Sequence, residues 1–108
     1  MPYTARFVPE TLSRADVAAT PGPLLLEFGT NWCGWCLGAQ AHIEAAFAQA
    51  GQRVPHVKVE DGPGLPLGRS FKVKLWPTLV FLQDGREVAR LVRPSGTDQI
   101  VDALRLLA

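Results

Sequence analysis

The hydrophobic and polar positions divide this chain into short blocks with distinct periods. Glu10 to Thr20, "ETLSRADVAAT", carries helix-forming residues between Pro9 and the breaker Pro21-Gly22-Pro23. "LLLEF" follows, an apolar run of strand length leading into Gly29. Leu37, Ile43 and Phe47, with alanines between them, predict a helix that reaches Ala50 and stops at Gly51. His56 to Glu60, "HVKVE", places apolar residues at Val57 and Val59 and reads as a second strand. The Gly- and Pro-rich stretch "DGPGLPLGRS" comes next, with a short helix predicted around Leu67 to Phe71.

"TLVFL" has the pattern of a buried strand, and Asp84-Gly85 is a two-residue hairpin signal joining it to the alternating "EVARLV". Ile100, Val101, Leu104 and Leu107 recur at helical spacing and predict a last helix from Thr97 to Leu107, with Ser95 and Asp98 as an S-x-x-D cap. The strand–helix–strand unit in the first half implies two parallel strands, and the hairpin implies an antiparallel edge pair. The fold class is therefore α/β: a central mixed β-sheet flanked by helices on both faces.

Composition narrows the function more than the fold. The 108 residues suit one domain over 1–108, with 47% apolar and 19% charged residues and a formal net charge of +1. Such a balance offers no electrostatic footprint for nucleic acid or an anionic membrane. Apolar runs such as Leu79 to Leu82 fall far short of the ~20 residues of a spanning helix. The opening "MPYTARFVPE" shows no apolar signal region, so the expected location is cytoplasmic.

The chain has only two cysteines, Cys33 and Cys36, in "NWCGWC". A disulfide between them closes a very small loop and constrains the unfolded chain little, so a purely structural bridge explains them poorly. Cys33 falls where a core strand ends and a long helix begins. Backbone N–H groups there stabilise negative charge and so favour the thiolate, which is the reactive form. Cys36, one turn further on, can approach it. The pair can attack and break a disulfide, with Cys33 as nucleophile and Cys36 resolving the mixed disulfide. Metal binding is the competing use of C-x-x-C, but a structural zinc site needs about four ligands. Only His42 and His56 remain as further histidines, and His42 lies well along the helix.

"WCGWC" after "LLLEFGTN" resembles the active-site motif of the thioredoxin family, W-C-G-P-C after a strand bearing an acid. "WPT" at Trp76 to Thr78 looks like that family's cis-proline segment, and the hairpin and last helix also correspond. The resemblance implies the thioredoxin fold and a thiol–disulfide oxidoreductase that reduces protein disulfides. It implies no cofactor beyond the Cys33–Cys36 dithiol. Expected partners are disulfide-containing proteins and an upstream reductase such as a thioredoxin reductase, acting on a monomer. The other reading is a redox-inactive thioredoxin-like module that binds partners through its fold.

Residue by residue, the resemblance assigns Pro77 as the cis-proline beside Cys33. Glu27, an acid within an apolar strand, would accept a proton from Cys36, with Lys58 tuning it; a structural Glu27–Lys58 ion pair is the plainer alternative. Gly34 and Trp35 lie between the cysteines and, with Trp32, Trp76, Pro77 and Arg93, form the expected substrate surface. Trp32 is expected chiefly to pack, and Trp35 and Trp76 to be exposed. Four positions depart from the family pattern: Trp35 replaces the motif proline, Gly29 a bulky aromatic, Arg93 a groove glycine and Ala41 a helix-kinking proline. Packing beneath the site, the width of the groove and the shape of the helix should differ accordingly.

Overall fold

A computed structural model describes residues 3–108. In chain order the elements are α1 (Arg14–Ala18), β1 (Pro23–Gly29), α2 (Gly34–Ala50), β2 (His56–Glu60), α3 (Pro66–Ser70), β3 (Thr78–Gln83), β4 (Arg86–Val92) and α4 (Thr97–Leu104). The four strands lie in the order β2-β1-β3-β4. β1 and β2 are parallel, while β3 runs antiparallel to both β1 and β4. There are thus two antiparallel pairings rather than the single edge pair expected.

β1 sits inside the sheet, and strict alternation divides its side chains between two cores. Leu24, Leu26 and Phe28 join Val80, Leu82, Val17, Leu67 and Phe71 on the side of α1 and α3. Leu25 joins Leu79, Phe81, Ile43, Phe47, Ile100 and Leu104 on the side of α2 and α4. Burial on both faces explains why β1 reads as a continuous apolar run. The same alternation sends Glu27 and Gly29 to the face that carries α2. The helices do cover both faces of a mixed sheet, as expected.

The differences at element ends have local causes. α1 is only five residues long because Ser13 caps it, accepting from Asp16 N–H while the Asp16 carboxylate accepts from Ser13 N–H. α3 begins at Pro66, which supplies the fixed φ of a first helical turn. The predicted Ser95–Asp98 cap does not form: Gly96 is the cap residue of α4, and Ser95 N–H donates to the side chain of Gln99 instead. α4 ends at Leu104, after which Leu106 and Leu107 close tighter i→i−3 turns. Asp84 and Gly85 have φ of 53° and 80°, the two positive values of a type I′ hairpin. α2 is continuous from Gly34 to Ala50, passing through Ala41 without interruption.

The patterning gave no element before Glu10, yet this segment is built in. Val8 bridges Val59 in parallel, with Val8 N–H on Lys58 O at 3.1 Å and Glu60 N–H on Val8 O at 2.8 Å. The outer edge of β2 is thereby covered rather than left open to pairing. Among the described residues no helix is long and apolar enough to cross a membrane.

Candidate active site

Cys33 is the N-cap of α2, in extended conformation, and its sulfur accepts from the backbone N–H of Cys36 at 3.3 Å. One of the otherwise unsatisfied N–H groups of the helix start is thus directed at this sulfur. Both thiols are free. Cys33 keeps 8% of its surface exposed and Cys36 only 1%. Burial pushes the Cys36 thiol up to about 12, reinforced by its hydrogen bond with Cys33 and the nearby charge of Glu27, while the Thr30 backbone pulls the other way. One thiol caps the helix and keeps a small exposed edge, and the other is protonated and buried beneath it. The two sulfurs are unequal by construction.

The Trp76–Pro77 bond is cis, as the resemblance implied, and Pro77 is buried. The Trp76 ring packs with Phe7, Cys33 and Cys36, and its Nε1–H donates to Asp61 Oδ2 at 2.9 Å. The tryptophans correct two expectations. Trp32, expected to pack, is 73% exposed, touching Trp76 edge to face at 5.9 Å between ring centroids. Trp35 is exposed as expected, at 62%, but Trp76 is half-buried. Trp32 lies in the turn before α2, where no element is available to cover it; Trp76 is drawn inward by Asp61.

Gly29 is explained by Phe7. A Cβ on Gly29 would lie 2.6 Å from Cys36 Sγ and 2.8 Å from the Phe7 ring. The aromatic beneath the dithiol is therefore supplied by the N-terminal segment rather than by β1. Asn31 secures that segment, accepting from Phe7 N–H at 2.9 Å and donating to Phe7 O at 3.0 Å.

Glu27 is fully buried, and its partners differ from those expected. Lys58 faces it across the parallel register but makes no direct ion pair with it. Instead, Lys58 Nζ donates to Ala5 O and to Gln40 Oε1, at 2.8 and 2.7 Å. Gln40 uses its amide nitrogen on Glu27 Oε2 at 3.0 Å and on Cys36 O at 2.7 Å. Tyr3 donates to the same Gln40 oxygen at 2.6 Å. The other carboxylate oxygen, Oε1, lies 2.8 Å from His56 Nε2. Because Thr4 N–H donates to His56 Nδ1 at 2.9 Å, that nitrogen is an acceptor and Nε2 carries the hydrogen. His56 is a neutral donor to Glu27.

Burial lowers the Lys58 pKa, with Arg6 acting in the same direction and Glu27 and Cys36 opposing. Its ammonium also lies 4.4 Å from the centre of the Phe7 ring. Gln40, His56, Phe7 and Asp61 are site residues that the sequence reading missed as such. Gln40 lies one turn past Cys36 on the same helix face, a spacing visible in the sequence. Nothing local marks the other three.

His42 shares a hydrogen bond with Thr97 Oγ1, and His56 is committed to Glu27. Among the described residues no three histidine, cysteine or acidic side chains are grouped to hold a metal. Arg93 stands beside the cis-proline, where its backbone is in the left-handed region. Its φ of 50° explains why glycine suits this place, and its N–H donates to Pro77 O at 2.9 Å.

Three known proteins are similar to this chain, one of them compared in structure and two in sequence. Thioredoxin 2 from Pseudomonas aeruginosa PAO1, solved in its reduced form, superposes with a TM-score of 0.84 and 49% identity, covering 96% of this chain and 95% of that one. Protein disulfide-isomerase A3 of Gallus gallus is 35% identical over 98 residues, 87% of this chain and 19% of the relative. The bifunctional thioredoxin reductase/thioredoxin of Mycobacterium leprae (strain TN) is 28% identical over 82 residues, 76% of this chain and 18% of the relative. The chain thus spans about a fifth of the length of these last two. The Thioredoxin family model matches residues 7–106, and so takes in the Phe7 plug, every strand and both thiols. The chain belongs to the thioredoxin family.

Proposed function

We propose that this protein is a thiol–disulfide oxidoreductase that reduces disulfides in proteins. The observation that carries this is the inequality of the two sulfurs: Cys33 at the helix cap, receiving Cys36 N–H, and Cys36 buried with its pKa raised to about 12. A pair built in this way attacks with one sulfur and holds the other in reserve.

In the first step the Cys33 thiolate attacks one sulfur of the substrate disulfide. A Cys33–substrate disulfide forms, and the other substrate sulfur leaves as a thiolate, taking a proton from water. Cys36 then loses its proton and attacks Cys33 Sγ. The Cys33–Cys36 disulfide forms, and the second substrate sulfur leaves and is protonated. Two electrons pass from the dithiol to the substrate. The raised pKa of Cys36 makes proton removal the demanding part of the second step. We assign this role to Glu27, held against α2 by Gln40 and placed on the sheet face beneath the cysteines. Lys58 acts on it through Gln40 rather than by direct contact.

The dithiol itself carries the electrons. Turnover then requires an upstream reductase, of which the reductase–thioredoxin fusion among the relatives is an example. A reducing compartment, the cytoplasm, suits that direction. The substrate surface comprises Trp32, Gly34, Trp35, Trp76 and Pro77, with Arg93 at its edge.

The test is reduction of a disulfide-bonded protein by the pre-reduced chain. Cys33→Ser should abolish it, and Cys36→Ala should stop at a stable mixed disulfide. Undiminished reduction by Cys33→Ser would end the assignment. A reduction potential far more oxidising than the cytosolic thiol pool would reverse the proposed direction.

A further inference from the structure

A groove of about 440 Å³ lies beside the dithiol, lined by Gly34, Trp35, Gly38, Ala39, His42 and Arg93 among others. Its floor is open, because a Cβ placed on Gly34 or Gly38 would meet nothing within 4 Å. Gly34 directly follows Cys33, so a chain bonded to Cys33 has this groove within one or two residues of its cysteine.

The groove carries uncompensated positive charge. Arg93 spends Nε on Trp76 O at 2.9 Å, and its guanidinium lies 4.4 Å over the Trp35 ring. Neither terminal guanidinium nitrogen has a hydrogen-bond partner among the described residues, and no carboxylate pairs with Arg93 there. No acidic residue lines the groove. The cation is also held in place on three sides: by its own N–H on Pro77 O, by Nε on Trp76 O and by the indole. Ordering a free arginine is a main cost of binding a carboxylate, and much of that cost is already met here. The same contact occupies the Trp76 carbonyl, so a substrate backbone finds one acceptor fewer beside Pro77.

We propose that Arg93 reads an acidic side chain next to the cysteine of the disulfide substrate. The groove takes one peptide segment, whose aspartate or glutamate accepts from the two free guanidinium nitrogens, while its chain lies over Gly34 and Gly38. Trp35 supports the cation from its other side. This inference rests on the oxidoreductase reading and names the substrate class on which it acts.

The experiment uses three disulfide peptides that differ only in the residue beside the cysteine: Glu, Gln or Lys. Their reduction by the pre-reduced protein is followed by stopped flow. Glu should be attacked about three to ten times faster than Gln, as a partly exposed charge-assisted pair allows, and Lys more slowly than either. The ratio should shrink at high salt. Arg93→Ala should bring the Glu-to-Gln ratio to about one, whatever happens to the absolute rates. Arg93→Gly serves as a second variant, since glycine accepts the positive φ without strain. Arg93→Glu should invert the order. Equal rates for all three peptides with the unaltered protein would overturn the inference and leave the oxidoreductase standing, as would a Glu preference that survives in Arg93→Gly. No reduction of any peptide would instead overturn the oxidoreductase reading on which it rests.

Discussion

Glu27 receives a hydrogen bond from a neutral His56, 2.8 Å away, because Thr4 N–H occupies the opposite ring nitrogen. The carboxylate is thus anchored on one oxygen by the N-terminal segment acting through His56, and on the other by α2 acting through Gln40. This arrangement holds the buried carboxylate with neutral donors in direct contact, while the buried Lys58 ammonium reaches it only through Gln40.

If Glu27 takes the proton of Cys36, Glu27→Gln should slow resolution without slowing the first attack. General acid–base groups typically contribute about 10²–10⁴-fold. The expected result is a burst of Cys33–substrate mixed disulfide that decays at least about a hundredfold more slowly, resolved by acid quench and mass measurement. Parallel slowing of both steps would show that Glu27 only supports the fold.

Gln40 is predicted to be worth more than a surface glutamine. Gln40→Leu leaves the Lys58 ammonium, Glu27 Oε2 and Tyr3 hydroxyl each short of a partner. Each unsatisfied buried group costs about 1–3 kcal/mol. Denaturant unfolding should show a loss of at least about 2 kcal/mol, against little change for the exposed Gln52→Leu.

The two thiols should be separable by alkylation. At pH 7 iodoacetamide should modify Cys33 in the native reduced protein first and Cys36 far more slowly, since Cys36 is 1% exposed with a pKa of about 12. Peptide mapping identifies the modified site. Equal labelling of both cysteines would contradict the arrangement.

Alkali should weaken the reduced fold. Cys36 and Tyr3 ordinarily titrate near 9 and 10, and burial pushes both to about 12. The folded chain therefore keeps protons that the unfolded chain has lost, so stability is intact below about pH 9 and falls as pH rises toward 12. Cys36→Ala should remove the part of the decline that begins near pH 9, and Tyr3→Phe the part that begins near pH 10. Urea titrations at several pH values provide the comparison.

Gly29→Ala should destabilise the protein by about 1–3 kcal/mol, since the new methyl meets a buried sulfur and the edge of a buried ring. Shrinking the ring in Gly29→Ala/Phe7→Leu should recover part of that loss relative to the sum of the single changes. Strict additivity would show that the two sites do not share this space.

The legible part of this molecule was the part that repeats or is local. Apolar runs of strand length identified β1 and β3, alternation β4, the Asp84-Gly85 pair the hairpin between β3 and β4, and the Cys33–Cys36 spacing a helix turn. The Glu27–Lys58 pairing was half legible: register does place them opposite each other, but the Gln40 between them belongs to another element. Trp32 was misjudged because nothing in its neighbours tells whether a loop ring finds cover. The segment before Glu10 carried no period at all, and its contributions from Tyr3, Thr4, Ala5 and Phe7 depend on contacts with residues far away in sequence.

That segment has a kinetic consequence. Its contacts with the site are few, so a local opening of this segment would lift Phe7 off Cys36, admit water beneath the dithiol and remove the Ala5 carbonyl from Lys58. The burial that raises the Cys36 pKa would lapse for as long as the segment stays open. Slow labelling of Cys36 is therefore a clock for local opening: its rate, divided by that of an exposed thiol, gives the fraction of time the amino-terminal strap is undone.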